Sequence, residues 1–397
     1  MNVIVREGDT FWYYSQLFNV PLQLIIDSNP DLNPRLLNIG QQVKIPGYVK
    51  DHYKIKGGDT FWEIATNRGI SVEAFFLANP GVNPCQLEVG QRIQIPDRVR
   101  APVVNWKTAY DYGKLVNDLD RLFEVYPFLK QNQIGNSVMG KPLTEIRIGR
   151  GDKKVHVDGS FHANEWTTTP VIMKFVNEYL LALTNRGTIR GLYMAPFYDE
   201  ATLSIVPMVN PDGVNLVING PPKEEPYHSM VLEINNSNSD FSGWKANIRG
   251  VDLNNQFPAR WYIEARRKKQ NPAPKNYPGP EPLSEPETMA MAELTRKSDF
   301  DGVLAFHSQG EVNYWGFLGY EPPASRRIVQ EYARVSGYEP IQYVDSYAGY
   351  KDWFIQEWQR PGFTVEVGIG EKPLPISQFS EIYQECLGIF LASLYHL

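Results

Sequence analysis

Short apolar runs broken by polar turns fill the first hundred residues, and the pattern occurs twice. Gly8-Asp9-Thr10-Phe11-Trp12 returns as Gly58-Asp59-Thr60-Phe61-Trp62, and Asn29-Pro30 as Asn79-Pro80. Asn33-Pro34 returns as Asn83-Pro84, Gly40-Gln41 as Gly90-Gln91, and Ile45-Pro46 as Ile95-Pro96. A fixed period of this kind marks repeated supersecondary units. In the first unit Ile4 and Val5 read as a strand leading into Gly-Asp-Thr, where Asp9 or Thr10 can cap a helix starting near Phe11. A second helix covers roughly Pro21–Ser28 and ends at Asn-Pro, because proline disfavours helix in the residue before it. Gln42–Ile45 alternates as a short strand. The pattern predicts two βααβ units, over residues 1–47 and 51–97.

Past a linker at Asp97–Val104, restrained by Pro96 and Pro102, the period disappears. Tyr112, Leu115, Val116, Leu119, Leu122 and Phe123 fall at helical spacing within Tyr110–Phe123. Leu143–Ile148 and Lys154–Val157 read as strands, and Thr168–Leu183 as an apolar-rich helix. Thr202–Val209, Gly302–Phe306 and Phe363–Val367 are apolar runs bounded by turns, as buried strands should be. Asn271–Pro286 is proline-rich and reads as a loop. Strands alternating with helices predict an α/β domain over residues 105–397, its sheet covered on both faces.

Composition narrows the function. A chain of 397 residues suggests two or three domains. Its 42% hydrophobic and 21% charged residues exclude a largely disordered chain. A net charge of −6 gives no electrostatic footprint for nucleic acid or anionic membrane. No run approaches the ~18 apolar residues of a membrane span. Charge interrupts the apolar start Met1-Asn2-Val3-Ile4-Val5-Arg6-Glu7, which does not read as a secretory signal. Cys85 and Cys386 sit in hydrophobic settings and are expected to be buried free thiols.

Candidate chemistry gathers around two of the six histidines. His162 follows the strand ending at Val157 and the turn Asp158-Gly159-Ser160, within His162-Ala163-Asn164-Glu165. His307 closes the strand Gly302–Phe306. Open α/β sheets place their sites outside the carboxyl ends of strands, which would bring both to one edge. Two imidazoles and a carboxylate make the three protein ligands of a catalytic Zn²⁺, with the fourth position left to water. Each motif alone is weakly specific; their neighbours narrow the reading. The run Ile205–Val209 leads into Asn210-Pro211-Asp212-Gly213, and Arg249-Gly250-Val251-Asp252-Leu253-Asn254 follows. Glu366 lies inside the apolar run Phe363–Val367, where a charge costs free energy unless it has a partner or a task.

In order and spacing these motifs resemble the M14 zinc carboxypeptidase family, across about residues 105–397. The Gly-Asp-Thr, Asn-Pro and Gly-Gln-x-x-x-Ile-Pro signatures resemble LysM modules. The expected fold is therefore α/β: a mixed-sheet α/β/α zinc carboxypeptidase-like domain preceded by two small βααβ LysM modules. LysM resemblance implies binding of N-acetylglucosamine-containing polymers, peptidoglycan or chitin. M14 resemblance implies one Zn²⁺ per chain held by His162, Glu165 and His307. It implies Glu366 as the catalytic carboxylate that moves a proton from water to the leaving amine. The family's oxyanion-stabilising arginine falls at Lys245, with Arg249 as the other candidate. Its substrate-contacting tyrosine falls at Tyr347, and local spacing leaves Tyr350 open.

Two departures bear on substrate. Digestive members carry Asn-Arg where this chain has Asn254-Asn255, and asparagine cannot copy the bidentate grip of arginine on a C-terminal carboxylate. Chain continuing past the cleaved bond is then tolerated. Lys351, at the family's pocket floor, would favour an acidic group on the leaving residue. Together with the LysM modules, these features resemble the M14 branch that cleaves γ-D-glutamyl–meso-diaminopimelate bonds. The expected partners are peptidoglycan glycan strands and stem peptides. The alternatives are an exopeptidase of ordinary α-linked peptides and a non-catalytic wall-binding protein. Without a signal segment, the expectation is synthesis and retention in the cytoplasm, in a sporulating mother cell or spore, with action on the wall. Whether the third stem residue is diaminopimelate or lysine stays open in the sequence.

Overall fold

The computed structural model describes residues 1–397, in two compact units. One comprises residues 1–104, 118–130 and 176–195; the other comprises 105–117, 131–175 and 196–397.

In the first unit each repeat builds one antiparallel strand pair and two short helices. Asn2–Ile4 pairs with Gln42–Lys44, and Tyr48–Lys54 with Arg92–Arg98. The helices are Phe11–Phe18 and Leu22–Asp27 in one repeat, Phe61–Asn67 and Val72–Ala78 in the other. Repeated residues carry repeated bonds. Thr10 and Thr60 cap the first helices by accepting from Tyr13 N and Glu63 N. Asn29 donates to Ile25 O and Lys44 O and accepts from Lys44 N; Asn79 does the same with Phe75 O, Gln94 O and Gln94 N. The asparagine of each Asn-Pro thus staples the second helix to the closing strand. Within the same unit Arg98 bonds Asn185 Oδ1 and Thr184 O at 2.8 Å, and Gly47 N donates to Val125 O. Trp12 and Trp62 are each 64% exposed.

The second unit is built on an eight-stranded mixed sheet. Its order is Glu339–Ile341, Val312–Tyr314, Gly362–Glu366, Gly302–His307, Lys153–Gly159, Ala201–Val206, Pro142–Gly149, Lys130–Asn136. The central strands 362–366, 302–307, 153–159 and 201–206 run parallel, with antiparallel neighbours at 312–314 and 142–149. Alternation along 302–307 sends successive side chains to opposite faces. Val303 and Ala305 join a core with Met291 and Leu294 of helix Pro286–Ser298 and Phe354 of helix Tyr350–Trp358. Phe306, on the other face, stacks on Phe390 of helix Phe379–His396, which stacks in turn on Phe175. Both faces are covered, as the unbroken apolar strands require.

Three expectations need correction. The run Thr202–Val209 is strand only to Val206. Pro207 has no N–H for the ladder, and beyond it Val209 N and Asn210 N bond Gly159 O and Ser160 O. Cys386 is buried, but Cys85 is exposed: it lies in the Asn83-Pro84-Cys85 turn, its N–H bonded to Asn83 Oδ1 at 3.0 Å. The strand expected at Phe363–Val367 spans Gly362–Glu366, so Glu366 is its last residue.

Candidate active site

Three adjacent parallel strands end at one edge and deliver the reactive groups. His307 and Glu366 are register partners, and Phe306 pairs with Gly159, three residues before His162. His162 opens a single 3₁₀ turn, Ala163–Glu165. Side chains three apart eclipse in that geometry, so His162 and Glu165 point the same way. Asn210 holds the turn in place, donating to Phe161 O and Ala246 O. Gly213 permits the approach: a Cβ there would meet Ala246 O at 2.6 Å and Ala163 Cβ at 2.8 Å. The Asn-Pro-Asp-Gly segment is thus scaffold rather than chemistry.

Donor atoms converge. His162 Nδ1 lies 3.0 Å from His307 Nδ1 and 3.0 Å from Glu165 Oε1, and His307 Nδ1 lies 2.9 Å from Glu165 Oε2. Four-coordinate zinc with ~2.0–2.1 Å bonds needs donors about 3.3 Å apart, so this set fits the ion. The outer nitrogens are already engaged. His162 Nε2 is 3.2 Å from Asp252 Oδ1, and His307 Nε2 is 3.3 Å from the Asn254 amide. Accepting from His162 Nε2, the Asp252 carboxylate orients that ring so that its Nδ1 keeps its lone pair for a metal, and the Asn254 amide nitrogen packs against the outer edge of the His307 ring. Ser308 N donates to Glu165 Oε2 at 3.1 Å.

Electrostatics prepare these groups. Burial resists charge on Glu165, yet His162 and His307 hold its carboxyl well below the usual range. Burial likewise opposes charge on Asp252, and Lys245 and His162 overcome it. Lys245, despite its burial, is pushed up by Asp252, Glu165 and Glu366 and stays an ammonium. Burial, then the charge of Glu165, pushes the Glu366 carboxyl up to about 7. A base that releases its proton near neutrality suits both halves of a proton shuttle.

The remaining candidates separate clearly. Lys245 faces the site, 3.6 Å from Asp252 Oδ2, whereas Arg249 is half-exposed and pairs with Glu285 at 3.5 Å. Tyr350 is fully buried, its hydroxyl 2.8 Å from Thr295 Oγ1. Tyr347 instead lines a cavity of about 540 Å³ with Gly316, Phe317, Tyr343, Asp345 and Asp352. Asn254 ties the metal end to the start of helix Tyr350–Trp358, accepting from Tyr350 N at 3.0 Å. Asn255 is buried next to it in the turn Leu253–Asn255. Lys351 is 4% exposed; its Nζ donates to Gly316 O at 2.8 Å and pairs with Asp352 Oδ1 at 2.7 Å. The ammonium expected to greet an acidic substrate group is spent inside the fold. Sequence reasoning missed Lys372, whose Nζ lies 2.6 Å from Glu165 Oε1. Only its place, just after Glu366, pointed to it.

A parallel sheet edge carrying two imidazoles, a carboxylate ligand set and a flanking acid defines a zinc peptidase. The zinc carboxypeptidase family model matches residues 115–387, and the LysM domain model matches residues 3–46 and 53–96. The chain belongs to the zinc carboxypeptidase family and is a zinc metallopeptidase. It is 62% identical, over 100% of both chains, to gamma-D-glutamyl-L-diamino acid endopeptidase 1 of Lysinibacillus sphaericus. An uncharacterised Bacillus subtilis protein is 42% identical over 74% of this chain and 79% of its own. Bovine thrombin-activatable fibrinolysis inhibitor shares the fold, with TM-score 0.58 at 18% identity over 73% of this chain and 98% of its own. No helix is long and apolar enough to cross a membrane.

Proposed function

We propose that the protein hydrolyses the γ-D-glutamyl–meso-diaminopimelate bond of peptidoglycan stem peptides, while its LysM modules hold the N-acetylglucosamine-containing glycan. The observation that carries this reading is the 62% identity, along the whole of both chains, to an endopeptidase named for γ-D-glutamyl-L-diamino acid bonds. Asn255 supports it, since its amide offers no fork to a C-terminal carboxylate.

His162, Glu165 and His307 would hold the zinc. Bound there, zinc supplies Lewis acidity, lowering the pKa of water towards ~7 and polarising the scissile carbonyl. The chain's own groups do the rest. Glu366 takes the proton of the attacking water and delivers it to the leaving amine. Lys245, kept charged by Asp252, donates to the carbonyl oxygen as negative charge develops there. Asp252 accepts from His162 Nε2 and so fixes that ring's tautomer. The cavity beside Tyr347 takes the leaving diamino acid.

Mass spectrometry of zinc-loaded enzyme with L-Ala-γ-D-Glu-meso-diaminopimelate tests the reading, and release of diaminopimelate is expected. The lysine-containing peptide, run alongside, shows whether the distal carboxylate is required. Absence of cleavage, or faster turnover of α-linked peptides with free C-termini, would overturn it. For the modules, replacing both Trp12 and Trp62 with Ala should weaken sedimentation with intact sacculi and leave soluble-peptide turnover unchanged.

A further inference from the structure

The site holds one more cation than the reaction uses. Lys245 is committed to Asp252 and to the carbonyl oxygen. Lys372 has no task in that chemistry, yet it reaches in from the segment after Glu366 with its ammonium 2.6 Å from Glu165 Oε1. Its side chain is 27% exposed, so the ammonium stands at the border of site and solvent. Glu165 is the carboxylate that zinc claims, and a bound dication repels a neighbouring ammonium. A zinc-loaded site therefore leaves Lys372 in need of another anion. Counting charge gives the same answer. Glu165, Glu366 and Asp252 against Lys245 and Lys372 leave one negative charge; a dication turns that into one positive.

Resting on the function proposed above, we infer that Lys372 binds the free α-carboxylate of the γ-linked D-glutamyl residue. A γ-linked glutamyl group carries that carboxylate four covalent bonds from the scissile carbonyl carbon, about 5 Å away at ~1.5 Å per bond. An α-linked residue with an uncharged side chain offers no anion near that place. The ammonium lies against one of the metal ligands, 2.6 Å from Glu165 Oε1, at the rim of the donor set. Lys372 is thus a reader of a free carboxylate on the acyl side of the bond. The leaving side is read separately, by the cavity beside Tyr347. One substrate anion also cancels the net positive charge of the loaded site.

The test compares two substrates, L-Ala-γ-D-Glu-meso-diaminopimelate and its analogue with the α-carboxylate amidated to D-isoglutamine, in wild type, K372Q and K372R. Wild type should favour the carboxylate peptide. K372Q should lose about 10- to 100-fold in kcat/KM on that peptide, the worth of a charge-assisted hydrogen bond, and change less than about twofold on the amide. K372R should retain most of the preference. Calorimetry of peptide binding to E366Q and to the E366Q/K372Q double variant should show the same selective loss, with zinc content near one per chain in both. An equal fall on both peptides, or a loss of zinc in K372Q, would overturn the inference and place Lys372 in metal or base support. Wild type that cleaves neither peptide would overturn the proposed function itself, so the two failures are distinguishable.

Discussion

Two lysine–aspartate pairs stand at opposite ends of the site. Lys245 Nζ lies 3.6 Å from Asp252 Oδ2, and Lys351 Nζ lies 2.7 Å from Asp352 Oδ1. The longer pair holds the stronger charge. Asp252 also meets His162 Nε2 and accepts Asn276 N, and its carboxyl sits far below the usual range although burial opposes this. Asp352 has Lys351 and Gly349 N, and there burial prevails, raising its carboxyl. The difference teaches that proximity alone does not make a functional ion. At the metal end several donors converge on one carboxylate and fix a charge that orients a ligand. At the cavity end one lysine and one aspartate satisfy each other and hold the pocket wall together.

The sharpest way to break this contrast is to remove the proton carrier at the metal end. Glu366→Gln should lower turnover by about 10²–10⁴-fold while zinc content, by elemental analysis, stays near one per chain. Next in size, Lys351→Met should destabilise the fold by about 3–5 kcal/mol in denaturant unfolding, because it strands a buried carboxylate. A stable K351M variant with altered substrate preference would show that Lys351 reads substrate after all. Asp252→Asn should weaken zinc affinity about 10- to 100-fold in chelator competition and leave stability less affected.

The smallest effect is a pair of opposite pH slopes, each at most about 1.4 kcal/mol per pH unit. Asp252 has a lowered folded-state pKa, so its stabilisation is present above the unfolded carboxylate pKa and fades as pH falls below about 4. Asp352 has a raised one, so the folded state binds the extra proton and loses stability as pH rises from about 4 upward. In stability curves against pH, D252N should remove the first slope and D352N the second.

How far the chain could be read in advance follows the same division. Strand-end groups were legible, because a buried parallel strand fixes where its last residue emerges: His307 and Glu366 needed only their strands, and Glu165 only its spacing from His162. The repeat exposed the LysM modules before any geometry. Lys351 was not legible, since nothing in Gly349-Tyr350-Lys351-Asp352 tells whether an ammonium turns to a substrate or to Gly316 O. The choice between Lys245 and Arg249 depended on which residue Glu285 would draw outward. Lys372 and the exposure of Cys85 both depend on loop paths, which no periodicity describes. The edge strands Val312–Tyr314 and Glu339–Ile341 were too short to stand out.

Zinc-edge anomalous diffraction from crystals of the full chain tests the central claim most directly. The account predicts one peak within about 2.0–2.2 Å of His162 Nδ1, His307 Nδ1 and a Glu165 oxygen, with Asp252 still on His162 Nε2. A peak elsewhere, or coordination through the Nε2 atoms, would contradict it.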